Sequence, residues 1–353
     1  MKRHLLGYVF ALVFLMVSAA QAQVEKCHIS LHSGDLIRSA TITKMGRDVL
    51  TVDAGGSSEK VAVGNISSIT FVGEPAEMKD IRTYLADSRF EDMLDTLKEV
   101  SPEQLSVNMK KEVEYLRVRA VAGLAFNGSV AIPKALTEMK KYFSSKDNSE
   151  YYRFYELSEL YANLNMLIGT EDALKEAEGA FQMIASAKDS PILKARGLIG
   201  AGNIALMKEK AAEAEKAFKA VITMVKNQEV EGVRGEMEVS ASCGLARAEV
   251  LEGKTEEAIA EIQKIFSANK ISAEDPMNAL LYNALGYAQL KANKPKDAAI
   301  AYMHTHLLYN GNKQQHIEAL DAMIKIFREE LRDENRARDL EGIKASRYGA
   351  KKG

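Results

Sequence analysis

The stretch that decides the fold is residues 281–310, LYNALGYAQLKANKPKDAAIAYMHTHLLYN. Tyr282, Leu285 and Gly286 recur at helical spacing, and Asn293-Lys294-Pro295-Lys296 interrupts the run. Ala298 and Tyr302 then fall one turn apart on a second helical pattern. This is a helical hairpin with a short turn. Small residues let the two helices approach, and large ones fill the gap beside them. Moving back along the chain, Leu245, Ala246, Gly253, Ala258 and Ile262 repeat the arrangement, as do Leu198, Gly202-Asn203, Ala214 and Phe218. Ala177 and Phe181 do so again after Leu157, Leu160, Tyr161 and Leu164. The second-helix alanines 177, 214, 258 and 298 are spaced 37, 44 and 40 residues apart. Two weaker hairpins precede these, Asp80 to Val100 and Val113 to Phe143, and a last helix pair, Gln315–Glu330 and Glu334–Ser346, closes the array. Six or seven hairpins are expected, in a mostly α chain.

The pattern resembles the tetratricopeptide (TPR) repeat, a unit of about 34 residues with a small residue and an aromatic four apart on its second helix. The resemblance covers about three quarters of the chain, residues 76–346, and is clearest from Leu198 to Asn310. It implies a curved α-solenoid whose first helices line a concave groove, because such hairpins cannot bury their apolar faces alone. Carried over position by position, the groove residues are Asn203, Arg247, Asn283 and Tyr287, with Leu290 as an apolar contact. Asparagines there would bracket the backbone of an extended peptide, and Arg247 would meet a carboxylate. The resemblance therefore implies a non-enzymatic scaffold that holds a protein or peptide partner. Two other readings stay open: an enzyme or accessory subunit of cell-envelope turnover, and a structural envelope protein.

Residues 24–73 have a different texture. His28-Ile29-Ser30-Leu31-His32 alternates, Ser33-Gly34-Asp35 and Met45-Gly46-Arg47-Asp48 are turns, and Val49–Val52, Lys60–Val63 and Ile66–Phe71 are short apolar runs. Five short strands with tight turns predict a small β-barrel or a strongly bent sheet. Some 50 residues make a marginal core, so the module is expected to lean on its neighbour. With Gly34-Asp35 and Ile66-Ser67-Ser68-Ile69-Thr70-Phe71 it resembles the small SH3- or Sm-like modules of exported bacterial proteins. It lacks the basic stripe with stacking aromatics that RNA binding needs.

Met1-Lys2-Arg3-His4, the apolar run Leu5–Val17 and Ala20-Gln21-Ala22 read as a secretory signal, residues 1–22, cut after Ala22. A periplasmic or secreted location follows, with membrane attachment only if the signal stays uncleaved. The net charge of −2 gives no strong field toward nucleic acid. Residues 347–353 form a short basic tail. Two cysteines, Cys27 and Cys243, are too few for a disulfide framework and read as isolated thiols.

Chemistry-bearing motifs are scarce. Gly200-Ala201-Gly202-Asn203-Ile204-Ala205 matches a dinucleotide-binding glycine pattern, but no strand precedes it and residues 217–228 hold no acidic partner for a ribose. His28 and His32 would lie about 13 Å apart along a strand, and His304 and His306 point to different sides of a helix. No cofactor, metal or catalytic residue is expected. Asn127-Gly128 reads as a turn.

Overall fold

The computed structural model describes residues 25–268 and 272–348. The signal expected at 1–22 and the end of the basic tail, 349–353, lie outside these residues.

The chain opens with five strands: β1 (Lys26–Leu31), β2 (Leu36–Lys44), β3 (Val49–Ala54), β4 (Ser57–Ala62) and β5 (Ile66–Phe71). They form one sheet in the order β4-β3-β2-β1-β5, with antiparallel neighbours throughout. β4 and β5 are its edges, so the sheet is open and the expected closed barrel is not formed. The reason is in the core. Ile29, Leu50, Ile69 and Phe71 of the sheet share one apolar cluster with Met78, Ile81, Phe90 and Leu116 of the helices that follow. Helices cover the inner face, so the sheet need not curl onto itself to exclude water.

Fourteen α-helices follow, pairing as seven hairpins among the described residues. They are α1 (Glu77–Ala86) with α2 (Phe90–Glu99), α3 (Val107–Phe126) with α4 (Ile132–Ser144), and α5 (Phe154–Ile168) with α6 (Glu171–Ala185). Next come α7 (Pro191–Met207) with α8 (Ala211–Lys226), α9 (Arg234–Leu251) with α10 (Thr255–Ser267), and α11 (Asn278–Lys291) with α12 (Pro295–Leu308). The last is α13 (Lys313–Lys325), prolonged by a π turn over Ile326–Glu330, with α14 (Glu334–Tyr348). The small residue of the second helix is wholly buried in each of the last six hairpins: Ala135, Ala177, Ala214, Ala258, Ala298 and Ala337. Successive first helices, from α3 through α13, pack on one another. Successive second helices make no contact of similar extent among the described residues. The first helices are therefore the inner row and the second helices the splayed outer row, the condition for a curved array.

Aromatic rings lock the rows. A Cβ on Gly286 would meet the Tyr302 ring at 2.7 Å, and one on Gly202 the Phe218 ring at 2.6 Å. Phe218 also lies against Gly244 of the next hairpin, where a Cβ would meet it at 2.2 Å. In the α9–α10 unit the close-approach glycine is thus Gly244. Gly253 sits instead in the turn, at φ +82°.

Candidate functional site: the inner face of the first helices

The β-module is seated along the starts of four first helices. Asn108 Nδ2, in the first turn of α3, donates to Glu25 Oε2 at 2.9 Å. Tyr155 Oη of α5 donates to Asp48 Oδ1 at 2.8 Å, and the Lys188 amide ahead of α7 donates to the same oxygen at 3.3 Å. Arg47 lies over the rings of Phe154 and Tyr155, 5.3 and 5.9 Å from their centroids. Gly232, just before α9, presses on the backbone of His32: a Cβ there would meet the His32 carbonyl oxygen at 2.1 Å. The module thus spans the array from α3 to α9.

Beside this seam the inner face carries a dense polar network. Glu112 of α3, 1% exposed, accepts from Tyr151 Oη at 2.6 Å and faces Arg153 Nη2 at 3.7 Å. Glu156 of α5 accepts from Tyr115 Oη at 2.5 Å and from Arg153 Nη1 at 2.7 Å. Burial raises the Glu156 carboxyl, but Arg153, the Tyr115 hydroxyl and Arg119 outweigh it and hold the group below the ordinary carboxylate value. One turn on, burial wins for Glu159, with Glu156 and Glu236 adding to it, and its carboxyl is held above that value despite Arg196. His32 is shifted down by burial and by Arg196, which favours the neutral ring.

Arg196 of α7 is the hub. Its Nη1 donates to Glu159 Oε2 at 3.4 Å, a long link, and its buried Nε has no partner. It separates two recesses. One, of about 210 Å³, lies against the β-module between His32, Ser67, Arg153 and Glu156. The other, of about 110 Å³, is walled by Glu159, Asn163, Asn203, Glu236 and Ser240. Sequence reasoning missed this cleft, because its larger recess joins residues 32–67 to residues 152–196, which are far apart along the chain. Glu156 and Glu159 on α5 and Arg196 on α7 were its only local trace.

The five expected groove residues separate. Asn203 lines the smaller recess. Arg247 of α9 pairs with Glu318 of α13 and lies over the Tyr287 ring of α11, 5.7 Å from its centroid. Asn283 joins that group but is wholly buried: its Nδ2 donates to the backbone oxygen and to Oε1 of Gln315, each at 2.9 Å. It ties α11 to α13 and presents no amide to the surface. Leu290 packs into the apolar cluster of the last hairpin, with Leu320 and Met323. Arg247, Asn283 and Tyr287 are therefore brought together. Asn203 lies in the cleft upstream, and Leu290 serves the core.

The remaining motif residues have structural places. Gly200 and Gly202 lie inside α7 and receive the rings of Phe181 and Phe218. The glycine spacing thus serves helix packing. Cys27 in β1 and Cys243 in α9 are buried free thiols, pushed up by burial to about 11 and about 12. His28 Nδ1 accepts from the Ser39 amide at 3.2 Å, and His304 stacks on Tyr282 with centroids 4.4 Å apart. Among the described residues no group of three or more His, Cys, Asp or Glu side chains could hold a metal ion. No helix among them is long and apolar enough to cross a membrane.

No family model matches the chain, and no curated protein is similar to it. Among solved structures, a tetratricopeptide repeat protein from Parabacteroides merdae ATCC 43184 is similar over 70% of this chain and 97% of its own, at 14% identity and a TM-score of 0.39. The class rests on the geometry above: a TPR-like array of helical hairpins behind an N-terminal β-module.

Proposed function

We propose that the chain is an exported protein-interaction scaffold. Its partner lies as an extended segment along the inner row of first helices, entering beside the β-module at Arg196. The observation that carries this reading is the polar cleft on that row, where Arg196 keeps unused donor capacity between two recesses. A guanidinium with free donors suits a carboxylate of the partner. The group at Arg247, Tyr287 and Glu318 prolongs the same face. Asn283 acts from within by fixing the spacing of α11 and α13. The signal read in the sequence at 1–22 supports a periplasmic or secreted location, and the small β-module, SH3-like in its strand count, forms one wall of the entrance.

A photo-crosslinking side chain at Asn203 is expected to give a discrete adduct in the exported full-length chain. The same probe at Lys216, exposed on the outer helix α8, is expected to give none. Equal adducts at both positions, or none at Asn203, would remove the reading.

A further inference from the structure

The last helix is held in two different ways. Its first half is seated by apolar contact: Ala337 and Leu340 are buried against Phe327. Its second half stands over a cavity of about 360 Å³ between α13 and α14, lined by Ile317, Ile324 and Ala345. That half is fastened by polar links at the rim. Lys344 Nζ meets Asp321 Oδ1 at 2.5 Å, Arg347 Nη2 donates to Asn310 Oδ1 at 2.9 Å, and Tyr348 Oη lies 2.5 Å from Nδ1 of His316. His316 is wholly buried, and its Nε2 lies 2.7 Å from Nδ1 of His306 on α12. Three helices are thus joined through one chain of hydrogen-bonding groups.

We propose that residues 344–348 of α14 form an acid-released latch on the end of the array. Protonation of both rings sets N–H against N–H between His306 and His316, displaces the His316 ring that carries the Tyr348 link, and bares the flank of α13 around Ile317 and Ile324. With both rings neutral, Tyr348 Oη–H donates to His316 Nδ1, and His316 Nε2–H donates to His306 Nδ1. Each contact then holds one proton. One added proton is accommodated on His306 by reversing the chain, so that His316 Nδ1–H donates to the tyrosine oxygen. A second leaves two N–H groups facing each other at 2.7 Å. Among the described residues no facing negative charge offsets the added protons. α12 presents His306 itself, α13 presents Lys313, α14 presents Arg347 and Tyr348, and Asn283 of α11 is uncharged and engaged by Gln315. Burial first, then His306 and Arg347, pushes His316 down to about 4, and burial and Arg347 lower His306. The sign follows. The latch is fully held above the ordinary histidine value, weakens as the pH falls below it, and levels off near 4.

Amide exchange of the full chain, read by mass spectrometry and corrected for intrinsic rates, tests this at about pH 7 and about pH 4.5. Protection at the end of α14 is expected to fall roughly a hundredfold relative to α8 over this range, the span set by the His316 shift. His306→Gln, at a half-buried position, should shrink that fall. Tyr348→Phe should open the end of α14 already at neutral pH and leave little further change with acid. A wild-type ratio of α14 to α8 protection that is constant with pH would overturn the proposal. So would a Tyr348→Phe chain that keeps the wild-type profile.

Discussion

At the scale of residues, packing is governed by where a ring meets a missing side chain. Gly202 and Gly286 each receive the aromatic of their own second helix, and a Cβ at either would sit under 3 Å from it. Gly202→Ala is expected to lower stability by about 1–3 kcal/mol, since the Phe218 ring must leave a position also set by Gly244. Gly179 is a control on the exposed side of α6, with open space where its Cβ would be. Gly179→Ala should raise stability by about 0.5–1 kcal/mol through the backbone entropy of the unfolded chain. Urea unfolding midpoints decide between them, and equal shifts for the two variants would contradict the ring-lock account. The alanine and aromatic spacings were legible in the sequence, because they lie four residues apart on one helix. The burial of Asn283 was not. It depends on Gln315, thirty-two residues away on another hairpin.

At the scale of elements, the five strands were legible from alternation and turn residues, but their assembly was not. Whether β4 meets β5 depends on what else covers the inner face, and here helices α1 to α3 do so. The seating of the module on the helix starts left no local mark either: Asp48 reaches Tyr155 across 107 positions. That aspartate holds the module to both α5 and the approach to α7. Asp48→Ala leaves the Tyr155 hydroxyl and the Lys188 amide without their acceptor and should cost about 1–3 kcal/mol. Because the sheet and the first hairpins share one core, the loss should appear in a single unfolding transition. A variant in which the strands melt separately while the helices keep their midpoint would show the module to be an independent domain.

At the scale of the whole molecule, the array matters because it sets two rows apart. The outer row presents mostly solvated side chains, with an exposed apolar stripe at Ile300, Met303 and Leu307 of α12. The inner row concentrates carboxylates, guanidiniums and tyrosines, and the β-module closes one side of it. The existence of an inner row was legible from the repeat. Its polar cleft at Arg196 was not, since it forms only where α5, α7 and α9 converge against the turn at His32. The central claim is that this row holds the partner. Its most direct measurement is the affinity of the partner captured at position 203 for two full-length variants, Asn203→Tyr in the inner recess and Lys216→Tyr on the outer row. Binding is expected to weaken at least about tenfold, some 1.4 kcal/mol, for Asn203→Tyr and to stay unchanged for Lys216→Tyr. Unchanged affinity for Asn203→Tyr, or an equal loss for both, would contradict it.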